Sequence, residues 1–130
     1  KQLRPEVCAG PTTGGLIVSY EVARHLGLRS IFAEKAEGGG RVFERGFTIA
    51  RGERVLVVDD VLTTGGSVRD VLDAVRRMDG EPVGAGVVID RSGGKVDFAL
   101  PLFACLKLNL PTYEPAACPL CEQGLPLTVT

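Results

Sequence analysis

Two apolar spacings alternate along the chain. Short runs rich in Val, Ile and Leu predict strands, and stretches with apolar residues three and four apart predict helices. Glu6-Val7-Cys8-Ala9 reads as a strand that stops at Gly10-Pro11. Beyond Gly15, the residues Leu16, Tyr20, Ala23 and Leu26 fall at helical spacing, and Gly27 supplies a stop. Ser30 to Glu34 is a second strand. Three consecutive glycines, Gly38 to Gly40, cannot hold a regular element cheaply. Arg41 to Ile49 then has strand composition and is expected to form a hairpin arm with a mobile tip. Arg54 to Val58 carries the continuous apolar run of a strand buried on both faces of a parallel sheet. A helix from Ser67 to Met78 follows, with Val68, Val71, Leu72 and Val75 on one face and Asp79-Gly80 closing it. Pro82 to Ile89 and Phe103 to Leu108 are the remaining strands. The order β-α-β-arm-β-α-β-β predicts an α/β domain with a mainly parallel, twisted sheet flanked by helices.

At 130 residues the chain suffices for one domain with one core, and residues 1–130 are read as such. From Pro111 onward lie four of the eight prolines, so residues 109–130 are expected to run as an extended tail over the surface. A net charge of −1 gives no general attraction to nucleic acid or to an anionic membrane. Any anion site must be built locally. No apolar run approaches the ~20 residues that span a bilayer, and Lys1-Gln2-Leu3-Arg4 does not open a signal peptide, so the cytoplasm is the expected compartment. Cys8 and Cys105 sit in strand-like apolar surroundings and are expected to be buried, reduced thiols. Cys118-Pro-Leu-Cys121 has the spacing of half a zinc site without its second half, so a local structural role is assigned to it.

The chemistry concentrates in Val57-Val58-Asp59-Asp60-Val61-Leu62-Thr63-Thr64-Gly65-Gly66-Ser67. A buried strand delivers two acids to the carboxyl edge of the sheet, where ligands of such sheets sit. Adjacent side chains point to opposite faces, so Asp59 and Asp60 need not share a task. Two carboxylates suit either ribose hydroxyls, as acceptors, or a magnesium shell, as hard oxygens. The turn from Thr63 to Ser67 is small and hydroxyl-rich, so backbone N–H groups can converge on a phosphate with the helix N-terminus behind them. Taken alone, an Asp-Asp at a strand end is more simply a strand terminus followed by a helix cap. The eleven-residue string is more specific, and it is neither a Walker loop nor a dinucleotide fingerprint.

This string resembles the phosphoribosyl-diphosphate signature of type I phosphoribosyltransferases, and every position matches. The resemblance implies that fold, with Asp59 and Asp60 on the ribose hydroxyls and the backbone and hydroxyls of Val61, Leu62, Thr63, Thr64, Gly65, Gly66 and Ser67 around the 5′-phosphate. Gly10-Pro11-Thr12-Thr13-Gly14-Gly15 resembles the pyrophosphate loop of orotate phosphoribosyltransferases, which assigns Thr12, Thr13 and Gly14 to the diphosphate. Some relatives carry Lys where Gly14 stands here. Ala33-Glu34-Lys35-Ala36-Glu37 and the glycines after it resemble the mobile catalytic loop of those enzymes. Lys35 matches a catalytic Lys, while the Arg that precedes it in relatives is Glu34. Arg41 and Arg45 either supply the cations that the loop lacks or line a solvated hairpin face.

Asp90-Arg91 after the strand Val83 to Ile89 is the third likeness: in orotate enzymes an Arg here pairs with the orotate carboxylate, as a guanidinium fork suits it. An ordinary surface ion pair is the alternative. Thr63 is assigned to the base as well, and the tail from Pro111 to Pro126 resembles the ending of a bacterial and archaeal subset. The resemblance therefore implies transfer of the phosphoribosyl group to orotate, giving orotidine 5′-monophosphate and pyrophosphate, with Lys35, Asp59 and Asp60 carrying the chemistry. It also implies Mg2+ held mainly through the substrate rather than by a protein metal site, and a homodimer. Orotate enzymes carry an N-terminal hood over the pyrimidine. This sequence opens just before the first core strand, so the hood is read as absent and turnover is expected to suffer. His25 lies within the first helix without an evident partner and is assigned a surface role. Rival readings are a purine or uracil phosphoribosyltransferase, for which Ser92-Gly93-Gly94 offers no stacking aromatic, a non-catalytic regulator that senses phosphoribosyl diphosphate, and a receiver-type phosphoacceptor domain, against which the Thr-Thr-Gly-Gly-Ser turn speaks.

Overall fold

A computed structural model describes residues 3–109 and 113–126. The strands are β1 (Val7–Pro11), β2 (Arg29–Lys35), β3 (Arg41–Val42), β4 (Arg54–Leu62), β5 (Glu81–Asp90) and β6 (Leu102–Lys107). The helices are α1 (Gly14–Leu26), α2 (Gly66–Arg77) and the short α3 (Pro119–Glu122). The strands form one sheet in the order β3-β2-β1-β4-β5-β6, parallel throughout except for the antiparallel β2–β3 pair. This is the α/β class expected from the alternating pattern.

Strand alternation divides the core in two. Val7, Ala9, Val55 and Val57 face α2 and pack with Val68, Val71, Leu72 and Val75, while Cys8 and Val58 face α1 and pack with Ala23. The two helices therefore cover opposite faces of the sheet. From β1 the chain crosses through α1 to β2 on one side, and from β4 it crosses through α2 to β5 on the other. The gap between the carboxyl ends of β1 and β4 is thus a topological switch point, where open α/β sheets hold their ligands.

Five local expectations need correction. The strand β4 runs on from Val58 through both acids to Leu62, because β5 continues beside it with Asp59 opposite Val87 and Leu62 opposite Asp90. On the helix α1, Tyr20 and Leu26 are exposed, and the buried line is Gly15, Ser19 and Ala23. Small residues face inward there because the helix lies so close to the sheet that the Ser19 hydroxyl reaches the Cys8 carbonyl at 3.0 Å. The arm is a strand only over Arg41–Val42. The chain then turns at Arg45 and Gly46, both at positive φ, which lets Phe43 and Phe47 fold back against the core. Cys105 is exposed, since it lies on β6 at the sheet edge, next to an apolar groove of about 320 Å³ that neither long helix fills. The tail is not wholly extended, for Pro115–Ala117 forms a 3₁₀ turn and Pro119 opens α3, a position that suits proline. The expectations for residues 110–112 and 127–130 lie outside the described residues.

Candidate functional site

At the switch point two strand-to-helix turns stand side by side. The turn after β4 encloses a hollow of about 50 Å³ lined by Asp59, Val61, Leu62, Thr63, Thr64, Gly65, Gly66, Ser67 and Val68. One water needs ~10–15 Å³, so the hollow has room for a group of a few heavy atoms such as a phosphate. Gly65 sits at φ +85°, in the left-handed region, and the helix α2 begins with the next residue. The helix has no side-chain cap, so its first N–H groups remain available to an anion.

The paired acids differ in burial. Asp59 is buried and Asp60 is exposed, and each accepts a hydrogen bond from the N–H of the residue after it, at 2.8 Å and 2.7 Å. Burial, together with the neighbouring Asp60, pushes the Asp59 carboxyl up to about 6, although the Arg41 charge opposes this. The Asp60 carboxylate lies against the start of α1. A Cβ placed on Gly14 would fall 2.1 Å from its Oδ2, so a larger residue there requires the exposed Asp60 side chain to move.

The turn after β1 holds Thr12, Thr13 and Gly14. Thr12 N–H donates to the Ala33 carbonyl at 3.0 Å, and the Thr12–Thr13 peptide is cis. Arg41 is buried, and its Nη1 donates to both Thr12 Oγ1 and the Ala33 carbonyl at 3.2 Å. Arg45 does not join it. Its exposed guanidinium pairs with Glu34 at 2.9 Å and lies over the Phe32 ring. Lys35 is exposed at the end of β2, directly opposite Arg41 in the β2–β3 register. Like charges so placed repel unless an anion compensates them.

Arg91 follows β5, and its N–H donates to the Leu62 carbonyl at 2.7 Å, which sets it beside the turn that begins at Thr63. Its Nε is buried and has no hydrogen-bond partner, and no ion pair involves it among the described residues. The neighbouring Asp90 turns away onto the Ser92 N–H and hydroxyl, at 2.8 Å and 2.6 Å, which hold its carboxyl below the usual range. The ordinary Asp90–Arg91 pair is therefore not formed.

Other candidates lie apart. His25 is exposed on α1. Burial pushes the Cys8 thiol up to about 11, as for an inert core cysteine. Cys118 precedes α3 and Cys121 lies within it, both free and half-buried, and no group of three or more potential metal ligands occurs among the described residues. The wide groove beside Cys105 carries no charged residue, and neither Asp59 nor Asp60 lines it. One residue had no role in the sequence reading: Arg69, whose Nη1 donates to the Thr64 carbonyl at 2.9 Å. The available signal was a cation near the start of a helix, where the dipole disfavours it.

The chain is 50% identical over 127 residues to an orotate phosphoribosyltransferase of Caldanaerobacter subterraneus subsp. tengcongensis, covering 98% of this chain and 66% of that protein. It is 55% identical over 120 residues to one of Pelotomaculum thermopropionicum, covering 92% and 63%. The chain thus spans just under two thirds of the length of these relatives. Among solved structures, the orotate phosphoribosyltransferase of Aeropyrum pernix superposes with a TM-score of 0.66 at 26% identity, over 82% of this chain and 62% of that one. The family described as "Phosphoribosyl transferase domain" matches residues 2–109, which hold both turns, both acids and Arg91. By that match and these relatives, the chain belongs to the phosphoribosyltransferase family.

Proposed function

We propose that the chain is the core domain of an orotate phosphoribosyltransferase, transferring the 5-phosphoribosyl group from phosphoribosyl diphosphate to N1 of orotate with release of pyrophosphate. The observation that carries this reading is the convergence, at one switch point, of a phosphate-sized hollow, an acid pair, a second glycine turn backed by Arg41, and an Arg91 whose buried Nε has no partner among the described residues. Relatives of about 50% identity that are orotate phosphoribosyltransferases support the choice of base.

In this reading the amides and hydroxyls from Val61 to Ser67 hold the 5′-phosphate, and Asp59 and Asp60 accept from the ribose hydroxyls. Thr12, Thr13 and Gly14 receive the diphosphate. As the C1–oxygen bond breaks, negative charge grows on the leaving pyrophosphate and positive charge on the ribose ring. Lys35, with Arg41 behind the loop, stabilises the first, and the Asp59 and Asp60 carboxylates favour the second. No side-chain nucleophile is needed. Arg91 and Thr63 orient the base, Arg91 by pairing with the orotate carboxylate.

The two adjacent carboxylates also fit Mg2+, with substrate oxygens completing the shell. When bound, the ion neutralises charge on the diphosphate. A homodimer and a cytoplasmic location belong to the same proposal. Their support is the family likeness, and for location also that no helix among the described residues is long and apolar enough to cross a membrane.

The test is a pyrophosphate-release assay with orotate, adenine, hypoxanthine and uracil offered in parallel. Orotate should be preferred, and Arg91→Ala should raise the orotate KM by roughly 30-fold or more, the scale of a lost charged pair. An unchanged orotate KM in that variant refutes the carboxylate assignment.

A further inference from the structure

We infer that Arg69 is a positioning residue that fixes the orientation of the Thr64–Gly65 peptide, so that the Gly65 N–H faces the phosphate hollow. The inference rests on the proposed reading of that hollow as a phosphate site.

In a trans peptide the C=O and the following N–H point in opposite directions. The Thr64 carbonyl is drawn outward by the Arg69 guanidinium at 2.9 Å. The Gly65 N–H of the same peptide is thereby turned the other way, and Gly65 lines the hollow. Without that bond this peptide is the weak point of the turn, because glycine tolerates either orientation of the peptide plane.

Arg69 is itself held. Its guanidinium lies over the Phe98 ring at 5.4 Å, and its backbone N–H donates to the Gly65 carbonyl at 2.9 Å. The space beside Gly65 is closed by the same groups: a Cβ there would meet Val96 at 2.8 Å and both Arg69 Nη1 and Phe98 at 3.2 Å. The electrostatics sharpen the point. A cation close to the N-terminus of α2 opposes the helix dipole, an unfavourable placement for a purely structural arginine. Beside a bound phosphate the same charge is favourable. Arg69 does not line the hollow, so its effect on the phosphate passes through the peptide it holds.

The experiment is calorimetric titration of the whole chain with ribose 5-phosphate and, separately, with pyrophosphate. It compares wild type, Arg69→Met and Arg69→Lys, with Tm recorded for each and the Gly65 amide followed by ¹⁵N NMR. Arg69→Met should weaken ribose 5-phosphate by roughly five- to tenfold, the scale of one lost hydrogen bond at a charged site. Pyrophosphate binding should stay within twofold, Arg69→Lys should restore part of the loss, and the ligand-induced shift of the Gly65 amide should disappear in Arg69→Met. Equal weakening of both ligands, or none, overturns the inference. If the wild type itself fails to bind ribose 5-phosphate, the reading of the hollow falls first and this inference falls with it. That outcome is distinct from wild-type binding that Arg69→Met leaves intact.

Discussion

The turns after β1 and β4 look alike in sequence, each a strand running into glycines and a helix, yet they use glycine for opposite ends. At the first turn, Gly10 near the end of β1 lets backbone touch backbone, and Gly14 leaves room for a side chain. A Cβ on Gly10 would lie 2.2 Å from the Gly15 carbonyl oxygen, and one on Gly14 would strike the Asp60 carboxylate. In the second, Gly66 borders open space: a Cβ there would have Thr64 Oγ1 as its nearest neighbour, at 3.7 Å. The first turn is packed at both glycines, whereas the second is packed at Gly65 and open only at Gly66, beside the hollow. Similar composition therefore encodes a buttress in one place and a receptacle in the other.

The largest effect should come from closing what is already closed. Gly10→Ala forces a methyl group against the Gly15 backbone and the Ser19 Cβ, so it should destabilise by about 3 kcal/mol, the upper part of the overpacking range. For a chain of this size that lowers Tm by about 10 °C, read by thermal denaturation. A loss under about 1 kcal/mol would mean that the first turn yields, and the contrast between the turns would weaken. Gly65→Ala comes next. Its φ of +85° costs a side chain about 1–2 kcal/mol, with the Val96 contact added. This variant should lose both stability and ribose 5-phosphate affinity, since the peptide beside the hollow must shift.

The contrast also explains why the two turns differ in how far the sequence reveals them. The second turn is legible because its strand, acids, small residues and helix start form one continuous string, each part acting locally. The helix after the first turn departs from its apolar spacing at Tyr20 and Leu26 because burial on α1 is decided by the closeness of Gly10 and Ser19, residues from different elements. Arg41 is ambiguous in sequence for the same reason: the Thr12 hydroxyl it reaches lies 29 positions away. The arm misleads through composition, as Phe43, Phe47 and Ile49 alternate like a strand while the turn at Arg45 and Gly46 folds them inward. Family likeness, rather than spacing, singles out Arg91, and the structure adds its unpaired Nε.

Asp59 lies where the two turns meet, and its charge offers a smaller, pH-dependent probe. Its carboxyl is pushed up to about 6 in the folded chain, from an ordinary value of 3.8. Between these values the unfolded chain has released a proton that the folded chain keeps, so stability falls as pH rises from about 4 through about 6. Asp59→Asn should remove that decline and raise Tm at about pH 7.5 by a few degrees, while abolishing tight binding of the ribose hydroxyls. Conversely, wild-type affinity for phosphoribosyl diphosphate should strengthen as pH rises through about 6, because the ionised carboxylate is the better acceptor. Titrations of Tm and affinity at matched ionic strength check both signs. A pH-independent affinity would remove Asp59 from the ribose contacts.

The smallest expected effect is the one that most directly tests openness. Gly66 opens α2 with helical geometry and an exposed surface, so Gly66→Ala adds a methyl group without collision and reduces the freedom of the unfolded chain. Stability should rise by about 0.5 kcal/mol, and ribose 5-phosphate affinity should change less than about twofold, because the N–H remains in place. Both are read in the same melts and titrations as Gly10→Ala. The two alanines thus place the same methyl group in two glycine turns at one sheet edge, with opposite signs predicted. A destabilised Gly66→Ala would show that the second turn depends on tight packing at Gly66 as well as at Gly65, and that the hollow is narrower than its lining suggests.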